Sequence, residues 1–283
     1  MGQYFEVSYP SLCILITLTA ASASAQWINY PTAGTPRTKD GKPNLGAPAR
    51  RARDGKPDLS GVWQVEPTPP SEMKALFGDL SVENVLGDSS VAYSKYLVNI
   101  LVDFKPGESP LRPEFADVVH QRAKETYPLT RCLPVGVPAD DLLPGPFKII
   151  QTPELILMRN EYENTLRQIY TDGRQPPADP EPLWLGYSVG RWDGDTLQVD
   201  TVGFNDKGWL DGMAHPHSEA LHVTERFRRR DFGHLDVQLT IDDPKAYTHP
   251  FTLKFTERLL PDTDVLEYFC AENEKDRSHI GGK

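Results

Sequence analysis

A chain of 283 residues with ordinary apolar and aromatic content has room for one large all-β domain or two smaller ones. Its formal charge of −10, from 40 acidic against 30 basic side chains, argues against nucleic acid and against an anionic membrane surface. Acidity by itself selects no substrate.

Residues 1–25 read as a secretory signal. Leu12 to Ala21 is an apolar run of h-region length, and Ala23-Ser24-Ala25 is a small-x-small cleavage site before Gln26. A periplasmic or secreted protein is expected. No other run approaches the roughly 18 apolar residues that a membrane span needs, so the mature chain should not cross a bilayer. Residues 26–57, rich in proline, read as an extended arm whose basic residues between Arg37 and Arg53 are solvated. The echo DGKPNL (40–45) and DGKPDL (54–59) is too short to predict a structural repeat.

A single domain is expected over 58–272. Pro57-Asp58-Leu59-Ser60-Gly61-Val62-Trp63 opens it with a strand and a core tryptophan. Residues 71–128 read as a helical insertion or a lid over one side of the sheet. Glu72–Phe77 suits a short helix, and Val91–Phe104 is apolar but undecided. Pro113–Thr126 carries Phe115, Val118, Val119 and Arg122 at helical spacing.

Strands follow. Ile149, Leu155, Leu157 and Met158 mark the first runs, Leu166, Ile169 and Tyr170 the next, and Leu197 with Val199 another. Asp172-Gly173 ends one strand. Asp193-Gly194 predicts a type I′ hairpin, which needs positive φ at both central residues. Ala220–Arg228, Leu235–Ile241, Phe251–Leu259 and Val265–Cys270 complete eight to ten short strands. The fold class is therefore all-β, an antiparallel barrel or a sandwich. Residues 273–283 read as a loose tail.

Once the signal is removed, Cys132 and Cys270 remain. An even pair in an oxidising compartment predicts one disulfide, closing about 140 residues and contributing roughly 4–5 kcal/mol in the chain-entropy model.

The stretches PDLSGVW, CLPVGVP, IYTDGR, GRWDGDTLQVDTVGFND, VTERFRRRD and DDPKAYTHPF cover nearly all of the mature chain. Together they resemble an exported bacterial family of Acidobacteria and Proteobacteria. The resemblance implies an all-β core similar to lipocalin-like barrels and an exported location, and it assigns no reaction.

The densest polar cluster runs from Asn205 to Glu219, followed by His222 and Glu225. His217 and Glu219 share strand parity, so with Asp206 they are candidates for general acid–base catalysis on a small molecule, as in a hydrolase, lyase or isomerase. His215, His217 and His222 raise a metal site, but Pro216 interrupts the pattern and His222 has the opposite parity. No cofactor is therefore expected, with a metal the sole candidate. Arg167, Arg174, Asn205, Trp209 and Glu225 are candidate substrate-binding residues. For Arg167 the competing reading is a structural ion pair with Glu225. Trp184, Tyr187, Trp192 and Trp209 could line an apolar or sugar-binding pocket. The alternative to an enzyme is a non-catalytic barrel that binds a small molecule. A third reading is an envelope interaction protein using the basic arm 37–53. Ser188 in Gly186-Tyr-Ser-Val-Gly190 has nucleophile-elbow spacing, but an Asp-Gly hairpin follows it instead of the required helix.

Overall fold

The computed structural model describes residues 30–78, 93–125 and 127–270. The expectations for the signal segment, for Val91, for Thr126 and for the 273–283 tail lie outside those residues. The described chain is mostly β. Nine strands close into a barrel in sequence order: β1 (Gly61–Val65), β2 (Phe147–Gln151), β3 (Leu155–Asn160), β4 (Leu166–Tyr170), β5 (Tyr187–Asp193), β6 (Thr196–Val202), β7 (His222–Arg229), β8 (His234–Asp242) and β9 (Phe251–Leu259). The barrel is not wholly antiparallel, as the sequence suggested. β4 and β5 run parallel and pair only at Ile169↔Ser188 and Tyr170↔Val189. All other neighbours are antiparallel, including the closing pair β1–β9. Val265–Cys270 forms no strand; it belongs to an irregular return along the outside of β2 and β3.

Alternation places one face of each strand in the interior. β8 buries Leu235, Val237, Leu239 and Ile241, as its sequence predicts. β3 shifts by one residue: Ile156 and Met158 are buried, whereas Leu155 and Leu157 face outward and are half-buried. β4 buries Arg167 and Ile169 and leaves Leu166 54% exposed. The β5–β6 turn centres on Gly194 and Asp195, with Asp193 paired to Thr196. Only Gly194 has positive φ, 58°, so the predicted type I′ turn, with two such residues, is not formed.

Among its described residues the insertion contributes three short helices, α1 (Pro70–Phe77), α2 (Lys95–Val98) and α3 (Ala116–Arg122), the last entered through a 3-10 turn at Pro113–Phe115. It is a plug, not a lid on a sheet face. Tyr96, Leu97, Val98 and Ile100 pack with Val223, Leu239, Ile241 and Leu253 inside one end of the barrel. A second apolar cluster, built on Trp63, Phe147, Ile156, Leu197, Phe227 and Leu235, fills the other end.

The basic residues of the arm, Arg37 to Arg53, are exposed, and the arm is also tied to the rest of the chain. Its echo forms the same turn twice: Arg37 pairs with Pro43 and Arg51 with Pro57 in isolated bridges. In each turn the arginine donates to a glycine carbonyl, Gly41 at 3.0 Å and Gly55 at 2.8 Å. The same arginines then reach barrel carboxylates, Arg37 to Asp262 and Arg51 to Asp195. Cys132 and Cys270 form the expected disulfide, with Cα atoms 5.6 Å apart. Among the described residues no helix is long and apolar enough to cross a membrane.

Candidate functional site

The two apolar clusters are separated by a polar belt, to which several strands each contribute an inward side chain. Arg167 on β4 is its hub and is 2% exposed. Its Nη1 donates to Glu225 Oε1 at 3.0 Å and lies 3.5 Å from Asp141; its Nη2 meets Glu225 Oε2 and donates to Thr201 Oγ1 at 2.9 Å. Nε donates to Ser188 Oγ at 3.2 Å. All five guanidinium hydrogens are engaged, so the structural pairing with Glu225 accounts for both residues.

Asp140 and Asp141 enter this belt on a buried 3-10 turn, Ala139–Leu142. The loop before it needs Gly136: a Cβ there would sit 2.6 Å from the Trp184 carbonyl oxygen, and its φ is +79°. Burial raises Asp140 to about 6, against the opposing hydrogen bond from Thr165. Burial and then the charge of Asp140 raise Glu163 to about 9. Burial, then Glu225, raises Asp141; burial, then Asp141, raises Glu257, whose Oε2 is buried without a hydrogen-bond partner. For Arg167, burial works against the charged form, but the charges of Glu225 and Asp141 outweigh it and raise its pKa.

These shifts fix a pH dependence. From the ordinary carboxylate range near 4 up to the raised folded values, the folded chain holds protons that the unfolded chain has released. Stability is therefore fully present below that range and is lost as pH rises through about 6 and about 9. The ion-paired surface carboxylates Asp172, Asp195 and Asp262 are lowered and act in the opposite sense only at lower pH. Melting curves should lose roughly 1–3 kcal/mol, about 3–10 °C, between pH 5 and pH 8.5. Glu163→Gln should flatten the curve; a profile that rises over this interval would contradict the protonated belt.

The histidine-rich segment closes the plugged end, and its polar groups are used there. Asp211, fully buried, accepts from the Ile100 and His215 backbone N–H groups at 2.6 and 3.1 Å and from His215 Nδ1. Burial disfavours protonated His215, but the charge and hydrogen bond of Asp211 outweigh it and raise its pKa. His217 is buried beside Phe204, and its Nδ1 donates to the Ser218 carbonyl at 3.2 Å. Burial lowers its pKa, opposed by that bond and reinforced by Arg122. Glu219 is exposed and lines a different, open cavity of about 680 Å³ beside the Pro176–Pro182 loop. His222 lines the same cavity and pairs with Asp200 at 3.2 Å. Asp206 is exposed and touches Arg122 through its carbonyl.

The structure thus does not bring His217, Glu219 and Asp206 together: among the described residues no hydrogen bond or ion pair joins any two of them. His215, His217 and His222 are likewise apart, and no group of three or more His, Cys, Asp or Glu among the described residues is arranged to hold a metal ion. Asn205 and Trp209 are buried, the former bonding Lys207 N and the latter packed edge-on to Tyr127.

One candidate cavity does use the predicted residues. Where β4 and β5 barely pair, the wall opens into a cleft of about 410 Å³ lined by Leu166, Tyr170, Trp184, Tyr187, Ser188 and the edge of Arg167. The Tyr170 and Tyr187 rings stack with centroids 5.3 Å apart. Arg174 lies 3.8 Å over Tyr170, donates to Tyr187 Oη at 3.3 Å, and is itself held by Asp172. Trp192 does not reach this cleft; it packs against the cluster around Trp63. Comparison with known proteins finds no matching family model, curated protein or solved structure.

Proposed function

We propose that this protein is a small-molecule-binding barrel of an extracytoplasmic compartment, with its ligand seated in the cleft between β4 and β5. The observation that carries the reading is an aromatic-walled opening at the barrel junction with the fewest paired residues. Its volume lies in the range of small-ligand sites, and such sites are mostly apolar with few converging polar groups. Because every donor of Arg167 is already engaged, the cleft offers no free cation there for an anion. Stacked tyrosines, Trp184 and exposed Gln168 suit an uncharged ring-bearing molecule, a sugar or a phenol. The disulfide supports an oxidising compartment, consistent with export. The acid–base reading draws no support from His217, Glu219 and Asp206, which share no cavity.

Titration of tryptophan fluorescence with monosaccharides and simple phenols tests this. Saturable quenching is expected with at least one class, and Tyr187→Ala should weaken it about tenfold, or 1.4 kcal/mol. Absence of saturable binding across both classes, or affinity indifferent to Tyr187→Ala, would remove the cleft as the site.

A further inference from the structure

A second cavity lies under the N-terminal arm, well apart in sequence from the cleft. It measures about 340 Å³ and is walled by the arm from Tyr30 to Thr35, by the start of β1, and by Leu259 at the end of β9 with Leu260 and Pro261 beyond it. Its charged lining is uneven. Lys148 is neutralised by Asp264, both carboxylate oxygens lying 2.8 Å from Nζ. Among the described residues Arg229 and Arg50 have no carboxylate partner.

Arg229 is the inward residue at the end of β7 and is 5% exposed. It bonds only to backbone carbonyls, those of Asp58, Asp231 and Phe232, so two of its five N–H groups are left over. Its guanidinium lies against the rings of Trp63 and Phe232, with centroids 5.0 and 5.2 Å away. A buried cation with no carboxylate in contact is costly, since buried charges are normally paired. Burial lowers its pKa to about 10; the charge of Asp58 opposes this, and the neighbouring Arg50 adds to it. The exposed Arg50 side chain makes no hydrogen bond or ion pair among the described residues. Thr35 adds a buried Oγ1 with no hydrogen-bond partner on the same wall. Two unneutralised guanidinium groups and an orphan hydroxyl thus share one small, partly apolar space.

We propose that this cavity is a binding site for a small organic anion. Its carboxylate, sulfonate or phosphate head would be held by Arg229 at the floor and Arg50 at the mouth, and its short apolar body would rest on Val62, Leu260 and Pro261. An anion there uses the two spare N–H groups of Arg229, offsets the like-charge repulsion, and gives Thr35 an acceptor. The arm is then part of the site, because it supplies both Thr35 and Arg50.

Isothermal titration of the purified protein with benzoate, benzenesulfonate and phenyl phosphate, with benzyl alcohol as the neutral counterpart, tests the proposal. At least one anion should bind saturably below about 10 mM, and benzyl alcohol at least about tenfold more weakly. Arg229→Gln removes the floor but alters a buried group, so Arg50→Ala and Thr35→Val are the deciding variants. Among the described residues Arg50 has no side-chain hydrogen bond or ion pair to lose, and Thr35→Val deletes an unpaired hydroxyl. Each should leave the melting temperature nearly unchanged while weakening the anion about three- to tenfold. The proposal is overturned if no anion binds in that range, if benzyl alcohol binds equally well, or if Arg50→Ala leaves the affinity as it was.

Discussion

A chain carrying Arg167→Met loses about 3–5 kcal/mol of stability, roughly 6–20 °C in melting temperature, because Glu225 and Asp141 are left buried around a vacated charge. Glu225 is 0% exposed and has Arg167 as its ion-pair partner, so water cannot reach in to compensate. The double variant Arg167→Met/Glu225→Met should recover most of that loss, since a buried pair replaced by apolar groups of similar volume is often neutral or better. Chemical denaturation of the wild type, both single variants and the double variant gives the coupling energy directly. A single-variant loss below about 1 kcal/mol would mean that the belt relaxes or hydrates freely, contrary to its burial.

Removing the disulfide has an effect of similar size. Cys132 and Cys270 are 138 residues apart, so Cys132→Ser/Cys270→Ser should cost about 4–5 kcal/mol on the chain-entropy account. The bridge also fixes the segment after β9 against the loop that carries Asp140 and Asp141. That segment is otherwise held by Lys148–Asp264, by Arg159 on the Leu266 carbonyl, and by Glu161 on the Leu266 N–H. Guanidinium unfolding with and without reductant is the measurement. Coincident midpoints would show that the covalent link restrains little in the unfolded chain.

Period-two alternation made the strand-rich half of the chain legible. β8 was readable nearly residue by residue, because each inward position is apolar and each outward one polar; β9 follows the same pattern except at Glu257, which is inward and buried. β3 was not, since Leu155-Ile156-Leu157-Met158 is a continuous apolar run and its parity is ambiguous. On β4 the alternation is inverted. Leu166 is outward because it lines the cleft, and Arg167 is inward because Glu225, 58 residues later, neutralises it. The pairing could be named from sequence because both residues stand at charged positions within apolar strands.

The histidine-rich loop misled for a physical reason. It plugs the barrel without regular secondary structure, so its backbone groups need side-chain partners. Asp211 bonds Ile100 N and His215 N, and Asp243 bonds the N–H groups of Ser218, Lys245 and Ala246. Polar density there reflects capping. The two-arginine cavity left almost no trace, because Thr35, Arg50 and Arg229 are scattered along the chain. In the Arg228-Arg229-Arg230 run, only strand parity distinguishes the middle arginine, which turns inward.

The single parallel contact follows from arithmetic. Around a closed ring, strands that alternate up and down can meet antiparallel at every junction only if their number is even. This ring has nine, so one junction must join two strands of the same direction. Here that junction falls after β4, and a connection of sixteen residues, from Thr171 to Gly186, returns the chain to the starting end. A barrel of eight or ten strands would have no such obligation and could seal its wall completely. The opening that makes the cleft is thus tied to an odd strand count, and a relative that gained or lost one strand would lose the need for it.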